Sequence, residues 1–185
     1  MELIEAIESR TSVKKFKKQK PDWRDIIEAI DTTRYAPMAG NNFTLRFIMV
    51  DEPKKIERIA EASQQPFITQ THYVVVVVSN PARPTNAYGE RGEIYSRQQA
   101  GAAIQNFLLR LHELGLATSW IGHFAEDQIK DLLKIPEGHN VEALFPIGKE
   151  FNKISKRKLK TDLNNVLYFN EFKNKKMNKI KKLNV

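Results

Sequence analysis

Cysteine is absent from the 185 residues. Disulfides, thiolate nucleophiles and Cys-ligated zinc or iron–sulfur clusters are therefore excluded, and the composition fits a reducing cytoplasm. No stretch approaches the roughly 20 apolar residues of a membrane span. The acidic, amphipathic start Met1-Glu2-Leu3-Ile4-Glu5-Ala6-Ile7-Glu8 lacks the basic residues and apolar run of a secretion signal. Together these absences predict a soluble, cytoplasmic protein with no membrane partner. There is also no Gly-x-Gly-x-x-Gly turn after a strand, which leaves a Rossmann dinucleotide site unsupported. No histidine spacing matches a metal site, so no metal is expected.

What the chain does have is positive charge. The formal net charge of +8 and pI near 9.6 raise the question of a nucleic-acid partner. The excess is concentrated at two ends: Lys14, Lys15, Lys17, Lys18 and Lys20 form one cluster, Lys153, Lys156, Arg157, Lys158 and Lys160 a second, and further lysines decorate the tail from Lys173 to Lys182. Without a recognised binding motif or an aromatic stacking stripe, a solvated basic tail is the simpler reading, and nucleic acid is not the expected partner.

The length suits one domain with a real hydrophobic core. Leu3, Ile4 and Ile7 recur at helical spacing up to Ser9-Arg10. A second helix starts at Pro21-Asp22-Trp23, with Asp22 and Asp25 suited to its positive end. Tyr35 to Asn42 reads as a loop, Leu45–Val50 as a strand and Pro53–Ala62 as a third helix. The β-branched run Tyr73–Val78 predicts a central strand buried on both faces. Residues 80 to 95, with two prolines and two glycines among polar side chains, predict a mobile excursion beside a ligand site. The longest helix follows from about Ala100 to Leu114, closed by Gly115. A strand Ala117–Ile121, a helix Glu126–Leu133 and a strand Val141–Ile147 complete the pattern, and Pro146 predicts an edge position or an early end for the last strand. The resulting class is a sheet covered by helices on both faces.

Arg10-Thr11-Ser12-Val13-Lys14 supplies a guanidinium, two hydroxyls and an ammonium within five residues, a donor set suited to a phosphate dianion. The same charges would also suit the negative end of the first helix. Among the histidines, His72 and His112 read as structural, and His139 lies in a polar turn. His123, after Gly122, is the one with a pocket address.

The order of these pieces resembles the FMN-dependent nitroreductase family from the first helix to about residue 160. Four stretches carry the resemblance. Glu8 to Phe16 is similar to the family's opening Arg-x-Ser-x-(Arg/Lys) phosphate motif. Tyr35-Ala36-Pro37-Met38-Ala39-Gly40-Asn41 is similar to its Ala-Pro-Ser-x-x-Asn loop. Gly101 to Leu109, leading to Leu114 through Gly122, matches its long helix and following strand. Leu133-Lys134-Ile135-Pro136 precedes Ile147-Gly148 and the basic stretch around Arg157. The resemblance implies an α+β fold, a three-layer α-β-α sandwich with a mixed, mainly antiparallel central sheet, assembled as an intertwined homodimer. It implies an FMN-binding domain over residues 1–169 and a lysine-rich arm over 170–185, anchored by Tyr168, Phe169, Phe172, Met177, Ile180 and Leu183.

It further implies residue roles. Arg10, Thr11, Ser12 and Lys14, joined by Lys156 or Arg157, would surround the FMN phosphate. Pro37, Met38, Ala39 and Asn41 would come from the partner subunit and border the isoalloxazine. Ile121 and Gly122 would lie at the flavin N5 edge, and Gln64 or Gln65, with Gln65 preferred, at its pyrimidine end. No side chain is expected to act as acid or nucleophile, since flavin performs the chemistry. The implied activity is ping-pong hydride transfer from NAD(P)H to a nitroaromatic, quinone or similar small acceptor, with His123 a candidate substrate contact. Met38, Phe43, Thr44, Gln99 and His123 depart from the family pattern. A non-enzymatic FMN carrier or sensor, and a basic nucleic-acid-binding module, are the alternative readings.

Overall fold

The computed structural model describes residues 1–152 and 161–177. The chain divides into two units, Met1–Lys153 and Ile154–Val185. In the first, the elements in order are α1 (Leu3–Ser9), α2 (Trp23–Asp31), β1 (Leu45–Val50), α3 (Pro53–Ala62), β2 (Tyr73–Ser79), α4 (Ala82–Tyr88), α5 (Arg91–Glu113), β3 (Ala117–Thr118), α6 (Glu126–Leu133) and β4 (Asn140–Gly148). Short 3₁₀ turns lie at Thr32–Tyr35, Ala39–Asn41 and Pro66–Gln70.

The sheet has the order β1-β2-β4-β3, and every pairing among the described strands is antiparallel. All seven residues of β2 are buried. Because side chains alternate along a strand, Tyr73, Val75 and Val77 face one layer, where they meet Ile26 and Ala29 of α2 and Ala103, Ile104 and Phe107 of α5. Val74, Val76 and Val78 face the other, against Ile56 and Ile59 of α3 and Ile129 of α6. The three-layer α+β sandwich follows from that alternation.

Two expectations fail here for identifiable reasons. The excursion expected over residues 80 to 95 is helical: α4 fills its first half and α5 starts at Arg91, well before Ala100. The Asn80 side chain accepts a hydrogen bond from Ala82 N at 3.0 Å in the turn that leads into α4, and the prolines fall at and near the start of that helix, where a missing N–H costs nothing. Pro146 does not put its strand at an edge, since β4 lies between β2 and β3 and runs on to Gly148. Leu144 and Ile121 exchange both backbone bonds, at 3.0 and 3.1 Å. By alternation the Pro146 nitrogen faces the same side, opposite Ser119 in the register that pairs Thr118 with Ile147 and Ile121 with Leu144. The missing donor therefore falls on the β3 side and leaves the β2 pairing intact. It also explains why the strand expected over Ala117–Ile121 is a two-residue strand plus an isolated bridge.

Glu126, at the start of α6, ties that helix to β4: its Oε1 accepts from Val141 N at 2.9 Å and from Lys130 Nζ at 2.8 Å. Burial acts to raise its pKa, but the bonds from Lys130 and Val141 and the nearby Lys130 and Arg97 charges outweigh it, leaving the carboxyl below its ordinary value. Arg110 of α5 pairs with Glu28 of α2 and with Glu113.

In the second unit, the Asp162 side chain caps α7 (Leu163–Val166) by accepting from Asn164 N at 2.9 Å. The Tyr168 and Phe172 rings lie 4.9 Å apart, with Lys175 Nζ 3.9 Å from the Tyr168 centroid. Phe172 and Met177 are exposed, and Ile180 and Leu183 lie outside the described residues.

A depressed folded-state carboxyl contributes stability that is present above its unfolded pKa and is lost as pH falls through the folded one. Glu126→Gln should thus cost about 0.5–1 kcal/mol at neutral pH, and the variant and wild-type stabilities should converge in acid. Urea unfolding followed from neutral to acidic pH checks this.

Candidate functional site

The segment after α1 is extended, and its backbone is held by the sheet. Val13 N donates to Thr118 O at 3.0 Å, Lys17 N to Lys149 O at 2.8 Å, and Phe151 N to Lys15 O at 3.1 Å, so residues 13 to 17 add a short ribbon beside β3 and the end of β4. Phe16 points inward and is buried. A Cβ on Gly148 would lie 2.8 Å from Phe16 Cδ1 and 3.2 Å from Phe16 Cβ, so the ring occupies the space a side chain at 148 would need. Phe16 stacks on Phe67, with centroids 6.5 Å apart, and its N–H donates to Gln70 Oε1 at 3.2 Å. Lys14 Nζ sits 5.4 Å from the Phe67 centroid. Ribbon, β3 and the Pro66–Gln70 turn therefore meet.

Arg10 is half-buried, Thr11 half-buried, and Ser12 and Lys14 exposed. Among the described residues, none of Arg10, Lys14, Lys15, Lys17, Lys18 or Lys20 has a carboxylate partner, whereas Arg24, Arg34, Arg58, Arg97 and Arg110 all do. Beside this segment, Thr118 Oγ1 is buried with no hydrogen-bond partner among the described residues. Such an orphan costs about 1–3 kcal/mol and calls for an explanation. Ile121 is buried, and Gly122 beyond it is exposed, where an added Cβ would meet only Trp120 Nε1, at 3.8 Å. His123 is exposed and makes no hydrogen bond among the described residues. His72 and His112 bond to Lys18 O and Ser9 Oγ at 2.9 and 2.7 Å, and His139 to Asn80 Nδ2 at 3.2 Å.

Gln65, half-buried, opens the Pro66–Gln70 turn. Gln64 instead lines a shallow recess of about 360 Å³ with Glu57, Ala60, Glu61, Pro66 and Thr69. Its two carboxylates give that recess the wrong sign for a phosphate. Lys156 and Arg157 lie outside the described residues.

The Pro37–Asn41 loop is not brought to this cluster within the chain. It packs against α4 and α5: Gly40 and Asn41 both adopt left-handed φ of 56°, and a Cβ on Gly40 would fall 2.7 Å from the Tyr88 hydroxyl. Pro37 and Asn41 are exposed, and Met38 and Ala39 half-buried. No hydrogen bond, ion pair or ring contact joins this loop to Arg10–Lys14 or to Gly122 among the described residues.

The nitroreductase family model matches residues 7–68 and 61–149. The chain belongs to the nitroreductase family. A Methanocaldococcus jannaschii protein named as a nitroreductase is 33% identical over 102 residues, 55% of this chain and 50% of that protein, so the match spans about half of that relative. The solved structure of a nitroreductase family protein from Clostridium novyi NT is 29% identical with a TM-score of 0.75, covering 94% of this chain and 96% of the other. The NADPH:FMN oxidoreductase of Vibrio harveyi, solved with NAD⁺, is 18% identical and shares the fold, with a TM-score of 0.82 over 95% of this chain and 79% of its own. Among the described residues no helix is long and apolar enough to cross a membrane, and no group of three metal-ligating side chains is assembled.

Sequence reasoning missed Phe67, Gln70 and Thr118. Phe67 and Gln70 reach the ribbon across more than 50 residues, which no local pattern signals. Thr118 and Ser119, two hydroxyls in the stretch expected as a strand, are the one readable clue.

Gly148→Val should expel Phe16 from its seat and destabilise the fold by about 1–3 kcal/mol. Adding Phe16→Ala should recover part of that loss in thermal unfolding, because the steric conflict is then relieved.

Proposed function

We propose that this nitroreductase-family oxidoreductase binds FMN and transfers hydride from NAD(P)H to a nitroaromatic, quinone or similar small acceptor. The observation that carries the reading is the set of cation and hydroxyl donors at Arg10–Lys14, left without carboxylate partners beside the orphaned Thr118 hydroxyl. That donor set fits a phosphate monoester: Arg10 supplies a planar fork, Thr11 and Ser12 hydroxyls, and Lys14 an ammonium. Lys156 and Arg157 would add charge from the C-terminal side.

When bound, FMN would supply the two-electron hydride chemistry for a ping-pong exchange between NAD(P)H and the acceptor. The chain's own task is placement. Gly122, with open space where a side chain would stand, lets a planar ring approach the backbone. Ile121 packs the floor behind it, and Gln65 offers an amide to a ring edge. His123 has a free imidazole facing solvent, available to an acceptor. Pro37, Met38, Ala39 and Asn41 do not reach this cluster in their own chain, which supports their delivery by a second copy in a homodimer.

Purified protein should carry flavin absorbance, native or after reconstitution with FMN, and anaerobic NADH or NADPH should bleach it. Colourless protein that takes up no FMN would sink the proposal. Arg10→Ala should weaken FMN binding roughly 10- to 100-fold, the loss of one charge-assisted bond, read by quenching of FMN fluorescence. Deleting residues 170–185 should weaken the homodimer, and an unchanged association constant in sedimentation equilibrium would reject a role for that arm.

A further inference from the structure

Gln99 is one of the few polar side chains in the core, and every one of its bonds goes to Asn42 or Thr44. It lies on α5 with Ser96 one turn before it, and both are buried. Gln99 Oε1 accepts from Thr44 N at 2.8 Å and from Thr44 Oγ1 at 2.6 Å, and Gln99 Nε2 donates to Asn42 O at 3.1 Å. Ser96 Oγ donates to Thr44 Oγ1 at 3.0 Å. Each proton has one assignment. The Ser96 hydroxyl points to Thr44, the Thr44 hydroxyl to Gln99, and the Gln99 amide to Asn42.

One side chain thus grips the backbone on both sides of Phe43, which itself packs partly into the core. The gripped stretch is the exit of the Ala39–Asn41 turn. Asn42 N closes that turn by donating to Ala39 O at 3.1 Å, and the Tyr88 hydroxyl of α4 fills the space a side chain at Gly40 would need. A turn with two consecutive left-handed residues has no strand or helix to define its direction. Its orientation depends on how its ends are fixed, and Gln99 fixes one of them. A neutral amide does this without having to bind a proton. A carboxylate would still accept from both Thr44 donors but would set a proton-free oxygen against Asn42 O.

We infer that Gln99 is a positioning residue that sets the Pro37–Asn41 loop in the geometry needed to border FMN across the dimer. The inference rests on the proposed FMN site and extends it to a buried residue whose polar atoms are bonded to Asn42 and Thr44.

The test measures FMN dissociation constants, by fluorescence quenching, on full-length wild type, Gln99→Leu, Gln99→Glu and the core control Ile129→Val, together with hydrogen exchange at the Asn42 and Thr44 amides. Gln99→Leu is expected to weaken FMN binding at least 10-fold and to speed exchange at both amides. Gln99→Glu, which keeps the Thr44 bonds, is expected to fall between it and wild type, and it serves alone should Gln99→Leu fail to fold. Ile129→Val should lower the melting temperature without moving the FMN constant. FMN constants within 3-fold of wild type in the folded Gln99 variants would overturn the inference while leaving the FMN reading intact. A wild type that binds no FMN would instead remove both. Equal weakening in Ile129→Val would reduce Gln99 to ordinary stability and overturn it as well.

Discussion

The structure depends on one constraint: β2 is buried along its whole length, so apolar cover must be found for both of its faces. A strand with alternating polar residues needs one helical layer. A run of five valines after Tyr73 needs two. α2 and α5 provide the first and α3 and α6 the second, and the two clusters share the strand without sharing a helix. Each buried valine contributes roughly 1.5–3 kcal/mol relative to exposure, which is why this segment rather than any polar contact sets the architecture. The edges follow, with β1 on one side and β4 then β3 on the other.

At β4 the constraint meets Pro146. Opposite β2 the ladder is uninterrupted apart from a register shift at Val77/Val78, because the proline nitrogen faces the other way. On the β3 side it stops the pairing after Thr118 and lets it resume only at Ile121. The two intervening residues, Ser119 and Trp120, are free of the ladder, and Trp120 turns out to solvent while its ring edge meets Phe145, with centroids 5.7 Å apart. A residue in the central sheet thus helps shape the exposed edge at Gly122. Straight continuation of β3 would have kept that backbone in strand pairing.

Much of this was legible in the residues. β1, α3 and α6 have the bounds that periodicity and capping give them, and β2 is central as its β-branched run requires. Both departures from expectation turn on where the N–H that proline lacks would have fallen. In α4 the prolines fall at and near the start, and in β4 the proline faces a gap. The candidate site was legible as chemistry but not as assembly. The donor set of Arg10, Ser12 and Lys14 is readable from side-chain type alone, yet nothing near residue 16 announces Gln70, 54 residues away, and nothing near Thr44 announces Gln99, 55 residues away. Long-range partners of a buried amide are fixed by topology, and topology leaves no local signature.

The distribution of charge ties the fold to the site. Several arginines on helical segments are matched by carboxylates, as in Arg34 with Asp31, Arg97 with Glu93 and Arg110 with Glu28 and Glu113. Exposed pairs of this kind add only about 0–1 kcal/mol each, so their main effect is to cancel the field over those faces. Arg10 and the lysines through Lys20 have no ion-pair partner among the described residues, although Glu5 and Glu8 stand on the adjoining helix and Glu2 just before it. Extended backbone explains the difference. A helix brings i and i+3 or i+4 side chains together, while residues 13 to 17, held as a ribbon, have no such i, i+3 or i+4 neighbours to pair with. The same hydrogen bonds that attach the ribbon to Thr118 and Lys149 therefore keep its positive potential available to an anion.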